Sequence, residues 1–249
     1  MEKMDRTDEQ LLETIADLHG IPEGSFNIRK NGKLIARNSD TDIEIVSKTD
    51  KDGIDIIVKP NVKNKSVHIP VLLTVGDFQD TVYNDFFIGE NSDVTIVAGC
   101  GIHKDTCGNA EHDGVHTFYV GKNAKVRYVE RHYANGSGTG KKVFDPITKI
   151  YLKENAQFIL ESTQLGGVTY TDRKTYATVG KNAQLMFKQK ILTDGEEKAI
   201  TDFKVKLSGK NSRADIVSRS VAKGKSLQQF KSDMVGKNEC FGHVECDGI

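Results

Sequence analysis

The sequence predicts a mainly β fold, a parallel β-helix entered through one short helix, and three observations carry that expectation. Apolar residues keep helical spacing near the N-terminus and alternate from about Phe26 onward. A four-residue corner recurs six times, as Gly89-Glu90-Asn91-Ser92, Gly121-Lys122-Asn123-Ala124, Lys153-Glu154-Asn155-Ala156, Gly180-Lys181-Asn182-Ala183, Gly209-Lys210-Asn211-Ser212 and Gly236-Lys237-Asn238-Glu239, at steps of 32, 32, 27, 29 and 27 residues. Five positions after each start stand Val94, Val126, Phe158, Leu185, Ala214 and Phe241; seven after it stand Ile96, Tyr128, Leu160, Phe187, Ile216 and His243. All but His243 are apolar or aromatic. Side chains two apart on a strand share a face, so each corner launches a strand with the same inward side, and copies stack about 4.8 Å apart.

In chain order, the helix comes first. Leu11, Leu12, Ile15 and Leu18 form its apolar stripe, Thr7 with Gln10 suggests a capping box, and Gly20 and Pro22 are expected to end it. This divides the chain into a helical segment, 1–25, and a β-helix core, 26–249. Strands such as Ile54-Asp55-Ile56-Ile57-Val58 and Val71-Leu72-Leu73-Thr74-Val75 follow, and nothing helical is expected after residue 25. Gly and Asn in each corner supply the positive φ of a tight turn. A β-sandwich would bring its strands at shorter spacing and would not need the same corner each time.

Composition removes several function classes. Lys plus Arg and Asp plus Glu number 35 each, which argues against nucleic acid, and no apolar run is long enough to span a bilayer. Met1-Glu2-Lys3-Met4-Asp5 has no signal-peptide core, so the expected location is the cytoplasm. Four cysteines in 249 residues are too few for a disulfide framework, and each is weighed as a free or metal-bound thiol.

Three stretches carry chemistry. Cys240-Phe241-Gly242-His243-Val244-Glu245-Cys246-Asp247 packs two thiols, an imidazole and two carboxylates into eight residues. The repeat register puts Phe241, His243 and Glu245 inward and Cys240 and Cys246 outward, unless a bulge at Gly242 reverses the strand beyond it. On one extended strand the two thiols lie about 20 Å apart, too far to share an ion. A second stretch offers Cys100, Cys107, His112 and His116 as a zinc set, with thiol spacing wider than zinc sites use. Asn135-Gly136-Ser137-Gly138-Thr139-Gly140-Lys141-Lys142 lacks the first glycine of a phosphate loop and has Lys142 where Ser or Thr belongs, so it reads as a hairpin loop. Glu130, Asp145, Glu161 and Asp172 read as a solvated outer face in preference to a glycosidase acid–base pair.

The runs Phe26-Asn27-Ile28-Arg29-Lys30-Asn31-Gly32, Gly53-Ile54-Asp55-Ile56-Ile57-Val58-Lys59-Pro60, Val67-His68-Ile69-Pro70-Val71, Val97-Ala98-Gly99-Cys100-Gly101-Ile102-His103, Glu111-His112-Asp113-Gly114-Val115-His116, Ser218-Arg219-Ser220-Val221-Ala222 and Gly242-His243-Val244-Glu245-Cys246-Asp247 resemble the SufB/SufD family of iron–sulfur cluster assembly scaffolds, nearest its short archaeal and anaerobic B-type members. The resemblance spans nearly the whole chain. It implies a right-handed parallel β-helix, a non-enzymatic scaffold role, and a transient iron–sulfur cluster as cargo. It also implies three kinds of partner: a SufC-like ABC ATPase, a second SufB/SufD-type chain in a homodimer or heterodimer, and cluster-accepting proteins. By motif, Cys246 is the thiol of the family's Cys-Asp pair, Cys100 its Gly-Cys, and His112 the histidine before the next strand. Cys246, Cys100 and His112 are therefore candidate metal ligands, with Glu245, His243 and Cys240 as neighbours of the cluster site. The chain departs from the bacterial B-type pattern at Val120, where a sulfur-accepting cysteine is expected, and lacks a later His-Glu segment and a helical tail. Free sulfide is then the expected sulfur source. The alternatives are a zinc-binding β-helix and a D-like structural partner without metal.

Overall fold

The corner asparagines fold as their repetition suggests. Asn91, Asn123, Asn155, Asn182 and Asn211 all lie at φ between 54° and 60°, the left-handed region that Asn tolerates better than other side chains. Their side chains stack into a ladder in which each Nδ2 donates to the Oδ1 one coil earlier, at 2.9–3.3 Å. Asn61 begins the ladder, accepting from Asn91 at 3.1 Å. Its corner reads Lys59-Pro60-Asn61-Val62, which shares the asparagine with every later copy and its lysine only with Lys153-Glu154-Asn155-Ala156.

The computed structural model describes residues 4–249. It contains α1 (Arg6–Ala16) and β1 (Ser25–Lys30), β2 (Lys33–Asn38), β3 (Ile43–Ser47), β4 (Gly53–Val58), β5 (Lys65–His68), β6 (Val71–Leu73), β7 (Phe78–Ile88), β8 (Asp93–His103), β9 (Ala110–Val120) and β10 (Lys125–Asn135). There follow β11 (Lys142–Phe144), β12 (Ile147–Leu152), β13 (Gln157–Gln164), β14 (Tyr170–Val179), β15 (Gln184–Thr193), β16 (Lys198–Leu207), β17 (Ser212–Ala222), β18 (Leu227–Gly236) and β19 (Cys240–Gly248). Two facing sheets wind into a parallel β-helix of about 7 turns. One sheet runs β19-β17-β15-β13-β10-β8-β5-β1-β2 and the other β18-β16-β14-β11-β9-β7-β4-β3. The pairs β1–β2 and β3–β4 are antiparallel and close the N-terminal end.

The inward slots hold through five corners: Val94, Val126, Phe158, Leu185 and Ala214, with Ile96, Tyr128, Leu160, Phe187 and Ile216, are all buried in the core. The sixth corner breaks the register. Ser212 pairs with Cys240, Ala214 with Gly242, Ile216 with Val244 and Ser218 with Cys246, without interruption. Cys240 and Cys246 therefore share the inward parity, while Phe241, His243 and Glu245 point outward, the reverse of the expected orientation. The cause is where the repeated letters fall on the coil: Gly236 still belongs to β18, paired with Leu207 and so two residues ahead of the place of Gly209, and only Lys237, Asn238 and Glu239 join it to Cys240, where Ser208 to Asn211 join Leu207 to Ser212. Asn238 has left the left-handed ladder and donates instead to the Ser208 carbonyl at 2.6 Å. No bulge at Gly242 is involved.

Helix α1 differs from expectation at both ends. Its capping box is Asp5 with Asp8, each carboxylate accepting from the other's backbone N–H at 3.0 Å, in place of Thr7 with Gln10. It stops at Asp17, in a left-handed C-cap conformation, before Gly20 is reached. Leu11, Leu12 and Ile15 pack on the outer face of β8, where Gly99 and Gly101 leave room: a Cβ on Gly99 would stand 2.4 Å from the Ile15 carbonyl oxygen. No helix among the described residues is long and apolar enough to cross a membrane.

Candidate functional site

Carrying the inward parity two steps further along each coil gives nine positions after the corner start, and there the core turns polar. Ala98, Glu130, Ser162, Gln189, Ser218 and Cys246 stack in register on one sheet. Glu130, Ser162, Gln189 and Ser218 are each about 2% exposed. The facing sheet contributes Arg173 and Thr201, likewise buried. Ser218 donates to Gln189 Oε1 at 3.0 Å, Gln189 donates to Thr201 Oγ1 at 2.9 Å, and Ser162 lies 3.5 Å from Glu130 Oε2. A file of hydrogen-bonding side chains thus runs along the axis inside the β-helix and ends at Cys246.

Glu130, expected on a solvated face, is instead the anionic centre of this interior. Arg173 donates to its Oε2 and contacts His132 Nδ1 at 3.1 Å, and Tyr128 donates to its Oε1 at 3.2 Å. Burial, the largest single influence, would raise the Glu130 carboxyl, but the Arg173 guanidinium together with His132 and His116 outweighs it and holds the carboxyl at about 2. Burial drives His132 down to about 3 and His116 down to about 4, so both imidazoles are neutral at pH 7. His116 is hydrogen-bonded to Tyr128 Oη at 2.7 Å and to Asn84 at 3.2 Å.

Cys100 and His112 meet across the same interior, about five rungs or 24 Å from the level of Cys246. His112 is 2% exposed; its Nδ1 contacts Asp80 Oδ2 at 3.2 Å, and Asp80 accepts from Arg29 at 3.0 Å. Its Nε2 is buried without a hydrogen bond. Burial would neutralise this imidazole, yet a thiolate charge on Cys100 together with Asp80 pushes it up to about 10. Cys100 thus faces an imidazole that is backed by a carboxylate and a guanidinium.

The open end of the β-helix has the opposite character. Cys246 lines a mouth of about 320 Å³ with Gln189, Thr201, Ser218, Gln228 and Phe230, and its thiol is exposed. Cys240 also faces inward, six residues back along the strand at the corner, where a Cβ on Gly236 would stand 2.7 Å from its sulfur. His243 lies outside, its Nδ1 2.8 Å from Asp215 Oδ1, and Glu245 bonds Arg219 at 2.5 Å, also on the outer face. Neither neighbours the Cys246 sulfur on its own face of the strand. The candidate ligands Cys246, Cys100 and His112 form two separate places.

The four-residue zinc set is not assembled. His112 and His116 are four apart on one strand, about 13 Å, and Cys107 is exposed on a loop. Among the described residues the one convergent group of three metal-ligating side chains is Glu111, Asp113 and Asp145, outside the β-helix. The glycine-rich loop before Lys142 folds onto lysines: Lys142 Nζ donates to the Gly136 carbonyl at 2.8 Å, and Lys104 Nζ to the Gly108 and Thr139 carbonyls. Val120 is a buried core residue. Asp80, Arg29, His132 and Arg173 escaped the sequence reading; the signal for His132 is its inward parity, eleven positions after its corner begins.

Residues 82–240 match the family described as SUF system FeS cluster assembly, SufBD core domain. That stretch stops six residues short of Cys246. An iron–sulfur cluster assembly SufBD family protein of Archaeoglobus fulgidus is 28% identical over 220 residues, covering 87% of this chain and 57% of the relative. A protein with the same family designation from Methanothermobacter thermautotrophicus (strain Winter) is 30% identical over 181 residues, covering 70% of this chain and 42% of the relative. The chain thus spans about half the length of these relatives. With a parallel β-helix, the repeated corner and 159 of 249 residues inside the core domain, the chain belongs to the SufBD family of iron–sulfur cluster assembly proteins.

Proposed function

We propose that this chain is a scaffold, not an enzyme, for iron–sulfur cluster assembly, and that the Cys246 thiolate holds iron or sulfide of the nascent cluster. The observation that carries this reading is the reversed register of β19, which turns Cys246 into the mouth of the β-helix at the end of the polar file. Thiolate is the donor such clusters use. One thiol is half a site, so the remaining ligands come from outside residues 1–249, from a second SufB/SufD-type chain or from a further segment. Cys100, with His112 and Asp80, is a second thiol deeper in the same interior. Free sulfide, not persulfide from a desulfurase, supplies the sulfur, and the finished cluster passes to acceptor proteins in the cytoplasm. ATP chemistry falls to an ABC-type partner, because the glycine-rich loop here is filled by Lys104 and Lys142. Movement in that partner opens and closes the paired mouths.

The test is anaerobic reconstitution with ferrous iron and sulfide, read by visible absorption and by bound iron and sulfide. Wild type is expected to acquire the charge-transfer bands of a cluster and Cys246→Ala to lose them. Equal cluster content in both proteins overturns the assignment.

A further inference from the structure

Outside the β-helix, on the face of the sheet that carries β9, one outward file is apolar where its neighbours are charged. Ile57, Phe87, Tyr119 and Tyr151 lie in register on β4, β7, β9 and β12. They remain 38%, 41%, 44% and 44% exposed, and this decides against a purely internal role. Phe87 and Tyr119 stack at 5.2 Å between ring centroids, and Tyr119 and Tyr151 at 5.5 Å. The rings are nearly parallel, with interplanar angles of 8° and 12°, so the file presents their edges as a straight ridge. Beside it Gly89 and Gly121, having no side chain, leave a groove of about 360 Å³.

Free charge along this groove is positive. Asp55 and Asp85, on one flank, are both bridged by Lys48. On the other flank Glu154 is held by Lys181 at 2.8 Å and Lys122 at 3.6 Å. Lys59 and Lys153 at its border and Lys206, two rungs beyond Tyr151, are exposed with no carboxylate within 4.0 Å among the described residues, against Glu90 and, one rung beyond Ile57, Glu44 as unpaired acids.

We infer that this groove docks an amphipathic helix of a partner protein, apolar on one stripe and acidic along its edge. A sheet face has no free backbone hydrogen-bonding groups, so an added strand gains nothing there. Four rungs about 4.8 Å apart span about 14 Å, which three helical turns at 5.4 Å pitch cover with side chains at i, i+4, i+7 and i+11. Four side chains of roughly 200 Å² at about 40% exposure offer about 300 Å². That is well under the about 800 Å² per partner of a stable interface between two folded chains, and it suits a single helix.

The probe is a fluorescein-labelled 14-residue helical peptide with leucines at those spacings and flanking glutamates, alongside a version with flanking lysines. The acidic peptide is expected to bind the full chain, with anisotropy titrations at least tenfold weaker for Tyr119→Ser/Tyr151→Ser and for Lys153→Glu/Lys206→Glu. Cys246→Ala is expected to bind it as wild type does, which separates this inference from the scaffold reading. Equal binding by both double variants, or equal binding of the lysine-flanked peptide, overturns it. So does self-association of the free chain that Tyr119→Ser/Tyr151→Ser abolishes, which would make the occupant a second copy.

Discussion

The two inward cysteines most closely tied to the family motifs sit in contrasting surroundings. Cys100 is buried and faces His112, which is backed by Asp80 and Arg29, so its electrostatic partners are all supplied by this chain. Cys246 is exposed at the mouth and has hydroxyl, amide and aromatic neighbours but no charged partner on its own face. The difference teaches that one inward parity gives a thiol two settings. Cys100 faces a chain of charged groups supplied by this chain, whereas Cys246 has none on its own face, so under the proposed function its further ligands come from elsewhere.

The largest expected effect breaks that contrast at the mouth. Cys246→Ala removes the cluster while changing stability by less than about 0.5 kcal/mol, because the side chain is solvated. Cys100→Ala is expected to keep the cluster formed from free iron and sulfide but to cost about 1–3 kcal/mol by removing a buried core side chain. Paired reconstitution and urea melts separate the two. Deleting Asn238 shortens the three-residue connection between Gly236 and Cys240 to two, below that of the other corners, and is expected to slide β19 by one residue. Cluster binding then falls as in Cys246→Ala, with the far-UV circular dichroism of wild type. Retention of the cluster would contradict the register argument.

The interior between the two thiols supplies the next effect. Arg173 is 2% exposed and compensates Glu130 beside neutral His132. Arg173→Met strands a buried carboxylate and is expected to cost about 3–5 kcal/mol in urea unfolding. Arg173→Met with Glu130→Gln should recover much of that loss; a double variant no more stable than the single one would mean that packing, not charge, dominates.

These residues also show what a sequence can and cannot reveal. The helix, the β-helix and ten inward core positions were legible because the corner repeats and parity propagates along a strand. Glu130 was legible in position, nine after its corner, but its charge argued for solvent, and only Arg173, on the facing sheet 43 residues away, makes burial tolerable. The orientation of Cys246 differs from expectation for a local reason: Gly236-Lys237-Asn238-Glu239 keeps the repeat's letters, but Gly236 still lies in β18, opposite Leu207, so the letters run ahead of the turn. Such a shift is invisible until the pairing partners of Gly236 and Cys240 are known.

The same interior sets opposite pH limbs. His112, raised to about 10 in the fold, contributes stability that is complete below its unfolded value of 6.5 and is lost as pH rises toward 10. His116 and His132, lowered to about 4 and 3, are buried neutral, so stability drops as pH falls from 6.5 toward those values. Urea midpoints measured from pH 4 to 10 should describe a dome. His112→Gln should flatten its alkaline side and His132→Gln its acid side, and unchanged limbs in both variants would remove the electrostatic account of the Cys100 region.

The smallest effect tests the corners that hold either region in place. Asn155 sits at φ 58°, donates to Asn123 at 2.9 Å and accepts from Asn182 at 3.1 Å. Asn155→Ala forfeits both bonds and puts a Cβ in the left-handed region without a compensating side chain, for about 2 kcal/mol. Asn155→Gly loses the bonds but relieves the backbone, for about 1 kcal/mol. Asn238→Ala, outside the ladder, loses one exposed bond to Ser208 and is expected to cost less than either. If Asn238→Ala costs as much as Asn155→Ala, the last corner is energetically one of the series after all, and the early placement of Gly236-Lys237-Asn238 on the coil cannot be what releases Asn238 from the ladder and turns Cys246 inward.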